Sequence, residues 1–125
     1  MRGEAFHNSI VDQAGRIFTS HRWEVYMEYR YPCSAVTTYL DIFAVRGCWK
    51  IGCEVETTPR HILDNAVKAA IAGIPLLVIV PSRKLQRLGR RTIESSDIAG
   101  VSMTKVLLLS QLEHELANFE RERIS

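Results

Sequence analysis

Residues 38–80 read TYLDIFAVRGCWKIGCEVETTPRHILDNAVKAAIAGIPLLVIV, and this run decides the architecture. Residues 38–46 and 49–56 form two strand-like segments around Gly47-Cys48. A glycine at the first turn position suits a two-residue type II′ hairpin. Thr57, Thr58 and Pro59 follow. A threonine cap with proline at the first helical position is a start signal, so a helix is predicted over 59–72, with Gly73 ending it. Residues 74–80 (IPLLVIV) are a continuous apolar run of strand length, the mark of a parallel strand covered on both faces.

Outward from this run the pattern continues. Apolar residues at Phe6, Ile10, Ala14, Ile17 and Phe18 have helical spacing over 3–20. Residues 22–30 (RWEVYMEYR) set Trp23, Val25, Met27 and Tyr29 against polar neighbours, the alternation of a half-buried strand. Pro32 and Ser34 loosen the chain before the hairpin. Downstream, a short helix is predicted over 83–92 and a buried strand over 105–109. Ser110 is expected to cap a last helix to about residue 121, with Leu112, Leu116 and Phe119 inward. The order is α-β-β-β-α-β-α-β-α. A hairpin leading through a helix into a buried strand implies a right-handed crossover and an α/β fold, a mixed central sheet flanked by helices on both faces.

The chain has 125 residues, enough for a single domain spanning 1–125. Its 46% apolar and 24% charged residues are those of a folded protein. Net charge is +2, too mild to choose a partner. The distribution says more: Arg83, Lys84, Arg87, Arg90 and Arg91 lie in one stretch without an acid. Cys33, Cys48 and Cys53 form no CxxC pair, so a reducing, cytoplasmic setting is expected. The opening MRGEAFHNSI lacks a signal-peptide run, and no apolar stretch is long enough for a bilayer, so no membrane is expected.

The hairpin also carries acids. With a turn at 47 and 48, Arg46 pairs with Trp49, Asp41 falls opposite Glu54, and Tyr39 falls opposite Glu56. Asp41, Glu54 and Glu56 then share one sheet face, and Ile42, Ala44, Ile51, Cys53 and Val55 share the other, the core face. Opposed carboxylates are destabilising unless they share a proton, pair with a cation or bind a metal. Mg²⁺ takes one or two carboxylates and accepts phosphate oxygens beside them.

An Asp on one strand, Glu-x-(Lys, Glu or Gln) on the next, then a helix and a buried strand resembles the PD-(D/E)XK nuclease superfamily. The likeness runs from Asp41 through GCEVETTPRHILDNAVKAAIAGIPLLVIVPS. The N-terminal RGEAFHNSIV is similar to the first helix of the archaeal-type Holliday-junction-resolvase branch. The resemblance implies a restriction-endonuclease-like fold and a Mg²⁺- or Mn²⁺-dependent deoxyribonuclease acting on DNA. It implies Asp41, Glu54 and the Val55 carbonyl as metal ligands. Glu56 stands where the family most often has lysine, and Lys68, on the polar face of the following helix with His61, Asp64 and Asn65, is the substitute. His7 aligns with the helix Glu of the resolvase pattern, with Glu4 one turn earlier.

The expected chemistry is phosphodiester hydrolysis, with Glu56 or a nearby base orienting a water. The basic stretch would hold backbone phosphates. A homodimer is expected, because one small domain needs two sites to cut both strands. Two other readings fit the sequence: a non-catalytic module of the same fold binding nucleic acid or a partner protein, and a subunit whose site another chain completes.

Overall fold

The computed structural model describes residues 2–32 and 37–124. The expected loosening at Ser34 lies outside the described residues. The chain is α/β, a five-stranded mixed sheet with helices on both faces. Helix α1 spans Arg2–Ser20, followed by strands β1 (Glu24–Pro32), β2 (Thr37–Arg46) and β3 (Trp49–Val55). A 3₁₀ turn, Pro59–His61, leads into α2 (Ile62–Ala72), then β4 (Leu76–Val80) and α3 (Arg83–Glu94). Strand β5 is Thr104–Leu108, and α4 is Leu112–Phe119.

The strands lie in the order β1-β2-β3-β4-β5. The first three are antiparallel neighbours, whereas β3, β4 and β5 are parallel, joined by α2 and α3 as crossovers. The hairpin register runs from Arg46↔Trp49 to Ile42↔Cys53. Gly47 has φ 62, the left-handed value that the first position of a II′ turn requires. Gly73 closes α2 at φ 75.

The all-apolar β4 is buried along its whole length. One face of the sheet carries α1 and α4, where Ile10, Ala14, Phe18, Leu112 and Leu116 pack on Ile42, Ala44, Ile51, Cys53 and Val55. The other carries α2 and α3, where Ile62, Ala69 and Leu85 pack on Leu76, Val78, Val80 and Val106. Each fully buried aliphatic side chain contributes roughly 1.5–3 kcal/mol.

Two expected caps are corrected. Thr58 precedes the 3₁₀ turn in extended conformation, but its hydroxyl makes no cap bond; Pro59, with its fixed φ, starts the turn. Ser110 lies inside a further 3₁₀ turn, Leu109–Gln111. The end of β5 is held instead by the Gln111 side chain, whose Oε1 accepts Leu108 N–H at 3.0 Å and Gln86 Nε2 at 2.7 Å.

The predicted single inner face of β1 is corrected as well. Val25 packs with the α1 side, and Met27 borders Gly15 of α1, but Tyr29 packs with the α2 side, stacked on Phe43 at 4.7 Å.

Candidate functional site

The site lies where β2 and β3 part. Past Ile42↔Cys53 the backbone ladder is replaced by a side chain: Asp41 Oδ2 accepts the Val55 N–H at 2.8 Å. A carboxylate accepting a backbone amide is a strong, charge-assisted bond. The same oxygen lies 3.1 Å from His7 Nε2, which α1 brings in across 34 residues of chain. The other ring nitrogen, Nδ1, is 3.2 Å from Asn8 Oδ1. Both ring nitrogens thus face oxygens, a pattern that the doubly protonated imidazolium satisfies best. Partial burial works against the charge on His7, but the Asn8 side chain and the Asp41 carboxylate outweigh it and raise the pKa.

Glu54 follows on β3. It is 8% exposed, and its Oε1 is buried without a hydrogen-bond partner. Burial, then the charges of Asp41 and Glu56, push its pKa up to about 9, against the opposing pull of the Asp41 backbone amide. The neighbouring Cys53 thiol is also pushed up, first by burial, then by Glu54 and Asp41. Glu56 stands one residue beyond β3, where its N–H donates to Ile79 O at 2.9 Å. Its Oε1 accepts from Asn65 Nδ2 of α2 at 2.7 Å. Burial raises the Glu56 pKa first, and Asp41 adds to this, while His61, Asn65 and His7 pull it down.

The charges of Asp41 and Glu56 raise the Glu54 pKa and Asp41 raises that of Glu56, so the three acids lie near one another, but the shared-face picture is corrected. Asp41 turns toward His7 on the α1 side and Glu56 toward Asn65 on the α2 side, with Glu54 buried between these attachments. The β2–β3 ladder stops at Ile42↔Cys53, while β2 stays paired with β1 on either side of Asp41.

Lys68 lies on α2 one turn after Asn65, and its Nζ is 3.3 Å from Asp64 Oδ2. Its ion pair is thus with its own helix. Glu4 is exposed in the first turn of α1, one turn from His7. Among the described residues, no three His, Cys, Asp or Glu side chains form a ready-made metal cage.

Two residues separate the end of β4 from the start of helix α3, which lies on the same sheet end as Glu56. Arg83, Lys84, Arg87, Arg90 and Arg91 fall within one solvent-facing arc of that helix by helical spacing, and all five are exposed. The opposite arc, Leu85, Gln86 and Gly89, is buried. Arg90 is partly engaged, because its Nε donates to Val106 O at 3.3 Å. Among the described residues, no helix is long and apolar enough to cross a membrane.

His7 entered the sequence reading through the resemblance alone, and nothing in the local pattern announces its contact with Asp41. One contributor lay outside that reading. The backbone of Glu28, with φ 49 across from Asp41, carried no signal at all in an alternating strand.

No protein-family model matches the chain, and comparison with curated proteins finds no match.

Proposed function

We propose that this protein is a divalent-metal-dependent nuclease of restriction-endonuclease-like fold that hydrolyses phosphodiester bonds in DNA, related to the PD-(D/E)XK superfamily in its junction-resolvase-like branch. One observation carries the reading: two acids from adjacent strands converge, and one of them, Glu54, keeps a buried carboxyl oxygen without a partner. A buried carboxyl group with an unused oxygen fits a cation better than it fits isolation, since an unpaired buried polar atom is costly. The element order, with the hairpin leading through α2 into β4, supports the fold assignment.

Asp41 and Glu54 would hold Mg²⁺ or Mn²⁺, with the Val55 carbonyl beside them. When bound, the metal acidifies a water and offsets charge developing on the scissile phosphate. The chain's own residues do the rest. Asp41 stays fixed by the Val55 amide, so its position does not depend on a ligand. His7 holds a proton on Nε2 against Asp41 and supplies the positive charge that the family most often takes from lysine, a role closer to hand for His7 than for Lys68. Glu56, with its pKa raised and its carboxylate steered by Asn65, is the general-base candidate that orients the attacking water. Arg83, Lys84, Arg87 and Arg91 would track backbone phosphates without reading sequence, with Arg90 contributing less. Two copies acting as a homodimer would cut both strands of a duplex.

The test is cleavage of labelled duplex, junction and single-stranded DNA with Mg²⁺, Mn²⁺ or chelator, by the parent protein and by Asp41→Asn and Glu54→Gln. Metal-dependent cleavage lost in both variants supports the reading. Cleavage that survives both substitutions contradicts it.

The exposed basic arc of α3 also fits a second reading, a non-catalytic module that binds DNA through that helix. DNA binding with no Mn²⁺ binding would mark it.

A further inference from the structure

Residues two apart on a strand share a face of the sheet. Strands β1 and β2 break this rule together, at one place. Met27 pairs with Ile42, and both lie on the α1 side: a Cβ at Gly15 would stand 3.5 Å from Met27 Cε, and Ile42 is in the α1 cluster. Tyr29 pairs with Leu40, and both lie on the α2 side. Leu40 Cδ2 would stand 3.1 Å from a Cβ at Gly52, so the missing side chain there gives Leu40 its room. No residue is gained or lost between the two pairs, since Glu28 and Asp41 alone separate them on their strands. The ribbon turns over at that position without a slip in register.

The local cause is visible in the backbone. Glu28 has φ 49, a left-handed conformation that L residues other than Gly, Asn and Asp rarely adopt. Such residues persist when their surroundings hold them there, and they cluster at functional sites. Here the surroundings are Tyr29 locked on Phe43 after the break and Met27 against α1 before it. Directly across the ribbon, Asp41 leaves the pleat. Its carboxylate then reaches the Val55 amide at 2.8 Å and His7 at 3.1 Å instead of standing on one sheet face.

We infer that Glu28 is a positioning residue for the carboxylate site: its left-handed backbone turns the β1–β2 ribbon over and thereby aims Asp41 at Val55 and His7. The backbone angle does this, and the exposed carboxylate of Glu28 has no part in it. The consequence for catalysis rests on the nuclease reading above; the geometric claim does not.

The experiment compares Glu28→Gly and Glu28→Asn, which accept φ 49, with Glu28→Val, whose β-branch disfavours it. Two signals are read: hydrogen exchange at the Val55 amide, and kcat and KM for DNA cleavage. The Gly and Asn variants should keep Val55 protected and kcat near the parent's. The Val variant should lose about tenfold or more of Val55 protection and of kcat, at unchanged KM. A Val variant with full Val55 protection overturns the inference, and so does a Gly variant as damaged as the Val one. Should Glu28→Val not fold, thermal midpoints of Glu28→Gly and Glu28→Ala decide. A positive φ makes Gly the more stable, whereas Ala above Gly overturns the proposal. If the parent cleaves no DNA while Val55 protection follows the predicted order, the positioning claim stands and the nuclease reading falls.

Discussion

His7 Nε2 on α1 lies 3.1 Å from Asp41 Oδ2 on β2, a contact that ties the N-terminal helix to the point where the hairpin ladder ends. It makes the first helix part of the site as well as a lid on the core. It also places an imidazole with a raised pKa beside carboxylates that lack a lysine partner among the described residues.

Asp41 does two jobs that substitution can separate. Asp41→Asn keeps an oxygen for the Val55 N–H and removes the charge. Asp41→Ala removes both and leaves a part-buried amide unpaired, at a cost of about 1–3 kcal/mol. Both variants should lose metal-dependent cleavage, and Asp41→Ala alone should lose stability on that scale in urea denaturation. Equal stabilities would show that the Val55 bond contributes nothing.

Glu54 gives the protein a signed pH dependence. Its pKa is raised to about 9 in the folded state, so the folded chain holds a proton that the unfolded chain releases near 4.5. Stability should fall as pH rises from about 4.5 toward 9, by on the order of a few kcal/mol, and level off above. Glu54→Gln, with no proton to lose, should flatten that slope. Urea denaturation at pH 5, 7 and 9 measures it, and parallel curves for parent and variant would contradict the assignment.

The basic arc of α3 should act through charge. The double reversal Arg83→Glu with Lys84→Glu should weaken DNA binding by about tenfold or more at moderate salt and reduce the salt dependence. Arg90→Ala should show a different signature, a stability loss of about 1 kcal/mol from the missing Val106 bond with a smaller effect on binding. Fluorescence anisotropy across a salt series, beside thermal melts, separates the two.

Gly89 lies where α3 packs closely on β5 and α2. A Cβ there would stand 3.1 Å from Val106 Cγ1 and 3.2 Å from Ile62 Cδ1. Alanine is the better helix former by about 1 kcal/mol, but forcing a methyl into this contact costs about 1–3 kcal/mol. Gly89→Ala should therefore lower stability by roughly 1–2 kcal/mol and leave the carboxylates undisturbed, as a midpoint shift without loss of Mn²⁺ binding would show.

Much of this fold is legible in the sequence. The hairpin register followed from Gly47 alone, because a two-residue turn leaves one pairing. Pro59 and Gly73 bracketed the α2 crossover, and the unbroken apolar run of β4 declared burial on both faces. The proximity of Asp41, Glu54 and Glu56 followed from that register. Their orientations did not, because they depend on the turned-over ribbon at Glu28, and a glutamate in an alternating strand gives no sign of a left-handed angle. The engagement of Lys68 with Asp64 was equally hidden, since helical spacing places both Asn65 and Asp64 within its reach.

The central claim is that Asp41 and Glu54 form a divalent-metal centre. Isothermal titration of the purified protein with Mn²⁺ alone, at neutral pH and without DNA, tests it most directly. The account predicts a saturable binding event near one ion per chain, absent in Asp41→Asn and in Glu54→Gln, with both variants folded. Binding that both variants retain, or no binding by the parent, would contradict it.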